Sequence, residues 1–321
     1  MKEIAADLRR WRARGDDKVA IATVVATRGS APRPIGSKLA ISAQGELAGS
    51  VSGGCVENEV YEEARAVLGG AAPKLLSYGI SDEQAWSVGL PCGGEIDVFV
   101  EDLPMGEAEE LAARVERGER FTRTTVLGEG GREFVEEFGP PPLLLIFGAV
   151  DTAEALCQAA KQLGWRTVVC DARAKFATRE RIPSADELIV EWPEEVLAQV
   201  EPDATTAVVV LTHENRFDIP ALIGALRSEA FYVGALGARR NQERRRGRLL
   251  EEGLSEEEID RIAGPTGLDI GAESPAETAV SILGEILAVR AGRDGGRLKA
   301  SKGRIHAEVH EAPATAPAKS A

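Results

Sequence analysis

The chain has 321 residues, and 52 Asp and Glu against 38 Lys and Arg give it a formal net charge of −14. This acidic balance argues against broad binding of nucleic acids or anionic membranes, because phosphates need clustered cations. No apolar run approaches the ~20 residues of a membrane span, and the N-terminus lacks the apolar centre of a secretory signal. Four cysteines and three histidines in so long a chain favour neither a disulfide framework nor a histidine-built metal site. We expect a cytoplasmic protein of two domains.

The first part of the chain predicts a mixed α+β domain, residues 1–138. An amphipathic helix opens it, and Gly, Pro and Ser clusters separate the elements that follow. Strands are predicted at 19–26, 38–42, 95–100 and 123–127, and helices at 56–68 and 105–116. The sequence GPPP at 139–142 predicts a linker, since consecutive prolines neither continue a helix nor donate to a central ladder.

After the linker, continuous apolar strands alternate with helices. Strands are predicted at 143–147, 167–170, 187–190, 207–211 and 231–234, and helices at 153–163, 194–200 and 219–228. This alternation is typical of a parallel sheet covered on both faces. The sequence therefore predicts an α/β protein whose second domain, 139–293, is a Rossmann-like doubly wound sheet. The Gly, Ala, Pro and Lys content of 294–321 predicts a disordered tail.

The first turn of this second domain resembles a dinucleotide-binding turn. Gly148 follows the first strand, and Asp171 ends the next strand, where an acid would bind a ribose hydroxyl. Val150, however, stands where a second glycine normally lets the diphosphate approach the backbone. This side chain disfavours NAD(P), and a Rossmann scaffold without a dinucleotide site is an equal alternative.

Two cysteines of the first domain are flanked by glycines. Cys55 follows Gly53 and Gly54 and precedes a predicted helix, and Cys92 is followed by Gly93. A thiol before a helix faces unsatisfied amides and the positive end of the helix dipole, which favours the thiolate. A reactive sulfur or a soft-metal ligand is one interpretation, and a small buried cysteine is the other. The two remaining cysteines, Cys157 and Cys170, fall inside a predicted helix and strand, and we expect both in the core.

Arginines mark two further segments. Arg28, Ser30 and Arg33 lie on a loop stiffened by Gly and Pro, and arginine forks suit phosphate or carboxylate, although solvated loop arginines are the simpler interpretation. The run 237–248 holds six arginines against one acid. Arg239 follows the C-terminal end of a strand, where open α/β sheets bind ligands. The later arginines of the run are expected on an exposed helix face.

Taken together, these segments resemble the XdhC/CoxI family of accessory factors for xanthine dehydrogenase and carbon monoxide dehydrogenase-type molybdenum enzymes. The resemblance extends from about residue 19 to residue 291. The segments that carry it are TRGSAPR at 27–33, GGCVE at 53–57, GLPCGG at 89–94, FGAVD at 147–151, CDAR at 170–173, LTH at 211–213, FDIP at 217–220, YVGALGARR at 232–240 and GPTGLDIGA at 264–272. Thr266, where isoleucine is more usual, is a departure without an evident chemical consequence.

The resemblance implies a homodimeric chaperone, with no catalytic residue or resident metal of its own. It would bind molybdenum cofactor, a pyranopterin that also occurs as a dinucleotide, support its sulfuration by a cysteine desulfurase, and insert it into an apo molybdenum hydroxylase. Cys55 and Cys92 would suit the soft molybdenum–sulfur centre, relay sulfur or shape the pocket. Two alternatives stay open. One is an NAD(P)-binding oxidoreductase or sensor, and the other is a scaffold that joins desulfurase and hydroxylase without holding the cofactor.

Overall fold

The structure is a computed structural model that describes most of the chain. It describes residues 1–29, 31–79, 94–128 and 131–300. Three of the predicted site residues, Ser30, Cys92 and Gly93, lie outside the described residues. The chain divides into two units, one containing Met1–Pro140 and the other Pro141–Arg297.

An antiparallel sheet organises the first unit. Its strands are β1 (Lys18–Arg28), β2 (Lys38–Ser42), β3 (Leu47–Gly49), β4 (Lys74–Tyr78) and β5 (Glu95–Pro104), in the order β3-β2-β1-β5-β4. The helices are α1 (Ala5–Arg14), α2 (Glu57–Leu68) and α3 (Met105–Glu116), and a separate hairpin pairs β6 (Phe121–Leu127) with β7 (Arg132–Phe138). β1 pairs with both β2 and β5, so it lies at the centre of the sheet.

Both faces of this sheet are covered, because residues along β1 alternate between two apolar clusters. Ala20, Ala22 and Val24 pack towards α2. Val19 and Ile21 belong to the cluster of α1 and α3 on the opposite face. The two-residue period of a strand explains this division. The apolar spacing of α1 and α2 in the sequence supplies the matching helix stripes.

The second unit is built on a parallel sheet. Its strands are β8 (Leu143–Phe147), β9 (Arg166–Cys170), β10 (Glu187–Ile189), β11 (Thr206–Val210), β12 (Tyr232–Ala235) and β13 (Ile262–Ala263), in the order β10-β9-β8-β11-β12-β13. This is the doubly wound order of the Rossmann fold, and it confirms the predicted fold class. The connection from β10 to β11 crosses the sheet, so the order reverses between β8 and β11.

Helices cover both faces of the parallel sheet. They are α4 (Asp151–Gln162), α5 (Pro193–Val200), α6 (Asn215–Arg227), α7 (Arg239–Glu251), α8 (Glu256–Asp260) and α9 (Pro275–Arg290). α4 and α9 contribute to the apolar cluster on one face, and α5, α6 and α7 to the cluster on the other. The predicted core positions of Cys157 and Cys170 are confirmed, since both are buried. Their burial raises the pKa of each thiol to about 12.

Several short elements differ from the sequence prediction. β3 has three residues and β13 has two, too few for a hydrophobic period to be visible. Of the predicted tail, residues 294–300 are exposed and end in a 3₁₀ turn, Leu298–Ala300, and the remainder lies outside the described residues. No described helix is long and apolar enough to cross a membrane.

Candidate functional site

The Cys55 loop, residues 50–56, connects β3 to α2 and exposes the Cys55 side chain. Gly53 and Gly54 take φ values of 75° and 111°, the left-handed region that favours glycine. A Cβ on either glycine would meet no atom within 4 Å. The glycines are therefore required for backbone conformation and not for close packing. The loop places the thiol in front of α2 and in solvent.

The carboxylate of Glu57 holds this loop. Its Oε1 accepts from the amides of Val51 at 3.2 Å and Ser52 at 2.9 Å and from the Ser50 hydroxyl at 2.6 Å. Its Oε2 accepts from the Gly54 amide at 2.8 Å and from the Ser52 hydroxyl. The first residue of α2 thus binds the backbone that leads into its own helix.

Ser52 completes the arrangement. Its Oγ accepts from the amides of Cys55 at 2.9 Å and Val56 at 3.0 Å. The sequence predicted that the Cys55 thiol would face unsatisfied amides, and within the loop itself Glu57 and Ser52 already bind the backbone amides. Glu57 belongs to the GGCVE motif, yet the sequence alone assigned it no role. The spacing within that motif carried the signal, since an acid three residues after a glycine can turn back to the backbone amides.

Glu57 carries its negative charge at neutral pH. Partial burial alone would raise its pKa, but hydrogen bonds from Ser50 and Ser52 outweigh this effect and lower the pKa to about 2. A fixed carboxylate therefore lies two residues from the Cys55 thiol. Among the described residues, no group of three or more His, Cys, Asp and Glu side chains could hold a metal ion.

Arg33 lies at the base of the Cys55 loop. Its Nε donates to the Ser50 carbonyl oxygen at 3.3 Å, and its Nη2 donates to Glu3 at 2.5 Å. Arg33, predicted for the same site as Cys55, thus contacts the backbone of the loop that carries the thiol. This contact fixes the loop independently of Glu57.

Arg28 lies at the end of β1 and pairs with the neighbouring strand β5. Its Nη1 is 3.5 Å from Glu95 Oε2 and its Nη2 is 3.4 Å from Asp97 Oδ2. Asp97 is buried, so this long contact neutralises a carboxylate of the sheet. Arg28 thus has two acidic partners of its own on β5.

In the second unit, Gly148 lies at the C-terminal edge of the parallel sheet, where the strand order reverses. Its φ is 113°, and a Cβ would lie 2.6 Å from Thr212 Cγ2 and 3.3 Å from the Thr212 amide nitrogen. Glycine is required here because the turns that follow β8 and β11 pass close to each other. The next turn residue, Val150, is extended and precedes α4 without a side-chain cap.

Both carboxylate oxygens of Asp171 accept hydrogen bonds from neighbouring residues of the chain. Its Oδ1 accepts from Arg173 Nε at 2.8 Å, and its Oδ2 accepts from Arg173 Nη2 at 2.7 Å and from the Ala149 amide at 3.1 Å. Burial raises the pKa of Asp171, but the hydrogen bonds from Arg173 outweigh it and leave the pKa lowered. The carboxylate predicted for a ribose hydroxyl thus accepts hydrogen bonds from Arg173 and from the backbone of the glycine turn.

A buried ion pair connects the next two turns of this edge. Arg245 Nη2 is 2.8 Å from Asp218 Oδ2, and the other oxygen of Asp218 accepts from the Thr212 hydroxyl. Arg245 Nη1 donates to Gln242 Oε1 at 2.6 Å. The expectation that the later arginines of the run lie on an exposed helix face was wrong for Arg245, which is buried and pairs with Asp218.

Arg239 begins α7 with an exposed side chain. It follows β12 at the same C-terminal edge as Gly148 and Asp171. Within the described ranges it forms no ion pair, in contrast to Arg245 in the same helix. The Arg239 guanidinium is therefore exposed to solvent at the C-terminal edge of the sheet.

Thr266 has a structural role that the sequence did not suggest. Its Oγ1 is 2.6 Å from the Tyr232 hydroxyl, and its amide donates to the Ala235 carbonyl at 3.1 Å. Tyr232 also donates to Glu285, which accepts from the Gly267 amide at 2.8 Å. The hydroxyl of threonine is therefore part of a polar network that isoleucine would not support.

Each of the two units matches the model of a known protein family. The model of the XdhC and CoxI family matches residues 11–79, and that of the XdhC Rossmann domain matches residues 144–286. The chain belongs to the XdhC/CoxI family. The first match includes the Cys55 loop with Glu57, and the second includes every turn of the edge around Gly148.

Alignments with individual relatives cover most of the chain. A protein of Bacillus subtilis (strain 168), named as a probable subunit of xanthine dehydrogenase, is 27% identical over 317 residues, covering 85% of this chain and 94% of that protein. "Molybdenum cofactor insertion chaperone PaoD" of Escherichia coli (strain K12) is 29% identical over 288 residues, covering 84% and 83%. A crystal structure described as a xanthine dehydrogenase from Bacillus halodurans superimposes with a TM-score of 0.71 at 24% identity, covering 94% of this chain and 98% of that one. At this identity the last likeness concerns the fold alone.

Proposed function

We propose that this member of the XdhC/CoxI family is a maturation factor that binds molybdenum cofactor and inserts it into an apo molybdenum hydroxylase of the xanthine dehydrogenase or carbon monoxide dehydrogenase type. The family and the name of the Escherichia coli relative support this role. The observation that carries it is the exposed Cys55 thiol on a loop held by Glu57.

The chemistry of the Cys55 loop suits a cargo that must be held and then released. A thiolate is a soft ligand that suits a molybdenum–sulfur centre. The described residues offer no cluster of three ligands that would retain a metal ion. One thiol on a pre-ordered loop binds without a large ordering cost, and it leaves the other positions of the cargo open to the receiving enzyme.

The exposure of Cys55 also bears on how the cofactor would be sulfurated. An exposed thiol is accessible to a second protein, so a cysteine desulfurase can approach the cofactor while Cys55 holds it. We also propose that Cys92 joins Cys55 in this site, that the protein acts as a homodimer, and that the cofactor binds as the pyranopterin or its dinucleotide form. Within the second unit, the Rossmann crevice at Gly148, with Arg239 on the same edge, is of a kind that suits a phosphate.

The NAD(P) alternative has weaker support. Asp171, which would bind the ribose, is occupied by Arg173 and the Ala149 amide. Val150 adds an isopropyl group at the turn where the diphosphate of a dinucleotide approaches the backbone. To bind a dinucleotide, an oxidoreductase or sensor would need Asp171 released from Arg173 and the Val150 side chain moved away from the turn.

The deciding experiment is anaerobic binding of molybdenum cofactor to wild type, Cys55→Ser and the surface control Asn58→Ser, with an NAD(P) titration beside it. We expect the wild type and Asn58→Ser to retain the cofactor and to activate an apo-hydroxylase, and Cys55→Ser to lose most of both. Saturable NAD(P) binding without cofactor retention would establish the enzyme or sensor. If neither ligand binds, the scaffold alternative replaces the chaperone.

A further inference from the structure

Three cations surround one aromatic ring in the segment between β9 and β10. The guanidinium carbons of Arg173 and Arg181 lie 4.2 Å and 5.1 Å from the centroid of the Phe176 ring, and Lys175 Nζ lies 5.4 Å from it. We call these four residues the Phe176 cluster. Each contact is a cation–π interaction, but together they bring three like charges around a single side chain.

Two acids pair with the two arginines of the cluster. Asp171 gives both of its oxygens to Arg173. Arg181 is 3.7 Å from Asp151, whose side chain is 87% exposed. Lys175 has no ion pair within the part of the chain that the structure describes. These pairs balance two of the three cations, and Glu214 also acts on Arg173 through its charge, so the positive charge that remains is that of Lys175, in a chain whose formal net charge is −14. Like charges held together in this way favour an anion between them.

The position of the cluster points to a ligand of the Rossmann crevice. Arg173 and Lys175 follow the C-terminal end of β9, beside the Gly148 turn that donates the Ala149 amide to Asp171. Arg181 reaches Asp151, the first residue of α4. α4 has 12 residues and no side-chain cap, and the dipole at its N-terminal end favours negative charge, as its first-turn acids Asp151 and Glu154 already show.

A flat aromatic surface lies on the other side of Arg173. Trp192 stacks on Phe217 with ring centroids 4.7 Å apart and an interplanar angle of 10°, and the Arg173 guanidinium is 5.8 Å from the Phe217 ring. The Trp192 residue is 42% exposed. An anion bound by Arg173 would therefore change the surroundings of an exposed indole, which makes Trp192 a fluorescent reporter of the cluster.

We propose that the Phe176 cluster binds the dianion of a phosphate monoester, with Lys175 and Arg181 as its donors beside the fixed guanidinium of Arg173. The inference deepens the proposed function, and it rests on it where the phosphate is taken to be that of the molybdenum cofactor. The same group occurs on a pterin side chain and on a ribose. Planar guanidinium forks and a lysine ammonium recognise either source.

The test compares two double variants that each remove one lysine and one arginine. Lys175→Gln/Arg181→Gln alters the cluster. The control, Lys161→Gln/Arg290→Gln, removes an exposed lysine at the end of α4 and an arginine 5.0 Å from the Trp165 ring, beside the N-terminal end of β9. Calorimetric titrations at low salt use adenosine 2′,5′-bisphosphate for the ribose source and anaerobic molybdopterin for the pterin source. Trp192→Phe identifies the fluorescence change that reports the cluster.

We expect the cluster variant to bind at least one of these probes about tenfold more weakly than the wild type, with a shallower salt dependence and an unchanged melting temperature. The control variant should bind within about twofold of the wild type. Equal affinities in the two variants, or no binding of either probe to the wild type, would overturn the proposal. If adenosine 2′,5′-bisphosphate shows the loss while the wild type retains no molybdopterin, the phosphate site stands and the proposed function falls. If the wild type retains molybdopterin and both variants retain it equally, with no loss for the other probe, the function stands and the site falls.

Discussion

The Arg173 guanidinium donates to both oxygens of the Asp171 carboxylate, from Nε at 2.8 Å and from Nη2 at 2.7 Å. Asp171 also accepts from the Ala149 amide, just after Gly148. The first unit shows the same principle at the Cys55 loop, where Glu57 accepts from the amides of a glycine turn. In both units a carboxylate of the chain binds turn amides that an anionic ligand would otherwise need. The two turns are therefore held in shape before any cargo binds.

Glu57→Gln should loosen the Cys55 loop. The neutral amide is a weaker acceptor for the bonds from Val51, Ser52 and Gly54, so we expect a loss of about 1–3 kcal/mol in the free energy of unfolding at pH 7. Urea unfolding measures the change. The control is Glu59→Gln in the same turn of α2, which should cost less than about 0.5 kcal/mol.

The effect of Glu57→Gln should depend on pH. The pKa of Glu57 is lowered to about 2 from its ordinary value of 4.5, so the folded state favours the carboxylate. The stability that it contributes is complete above pH 4.5 and is lost as the pH falls towards 2. The difference in melting temperature between wild type and Glu57→Gln should therefore narrow over this range. A constant difference from pH 6 to pH 3 would show that the charge of Glu57 is not what holds the loop.

Cys55 should be the reactive thiol of the described chain. It is exposed, whereas Cys157 and Cys170 are buried and each has a pKa raised to about 12. In a Cys92→Ser background, we expect a thiol-specific reagent to titrate one cysteine of the native protein rapidly and three after unfolding. Adding Cys55→Ser should remove the rapid phase and change stability by less than about 0.5 kcal/mol. Rapid labelling that persists would locate the accessible thiol in the second unit.

Arg245→Met should destabilise the protein strongly. Arg245 and Asp218 are both buried, and removing the cation leaves an uncompensated carboxylate, which costs about 3–5 kcal/mol. Adding Asp218→Leu should recover part of this loss. The matched control is Arg246→Met, because Arg246 pairs with the exposed acids Glu256 and Asp260 and should matter by about 1 kcal/mol or less. Urea midpoints that are equal for the two arginine variants would contradict the buried pair.

Arg245 is buried and its neighbour Arg246 is not, a difference that the sequence alone does not predict. The strand at 143–147 was predictable because an apolar run buried on both faces needs no knowledge of its partners. A run of arginines predicts a charged helix but not which member is buried. That depends on Asp218, which lies 27 residues earlier in the chain. The strand β13 was missed for a related reason, since two residues form a strand only because β12 lies beside them.

The candidate site was predictable in part for the same reason. The sequence placed Cys55 between a glycine turn and a helix, and the structure has it there. The partner that changes its chemistry, Glu57, is local in sequence, but its effect depends on a loop that folds back onto the helix. Asp171 is the parallel case. Its place after β9 followed from strand order, and its engagement by Arg173 did not.

Two residues at the turns after β8 and β9 oppose dinucleotide binding in the second unit. NADH binding should be weak in the wild type because Arg173 occupies the Asp171 carboxylate and Val150 obstructs the turn. Val150→Gly removes the obstruction, and Arg173→Ala frees the carboxylate for the ribose hydroxyls. We expect each single variant to gain little and the double variant to bind NADH at least about tenfold more tightly than the wild type, since a ligand must satisfy both conditions at once. Fluorescence titration of NADH measures this gain.

The control for that double variant is Val190→Gly/Arg216→Ala, which changes the same residue types at exposed positions and should leave the NADH titration unchanged. Arg173→Ala should also weaken adenosine 2′,5′-bisphosphate, because it removes a guanidinium from the Phe176 cluster. The same substitution would then improve binding of a ribose diol and impair binding of a phosphate monoester. An unchanged preference between the two ligands would mean that the Asp171–Arg173 pair only stabilises the turn.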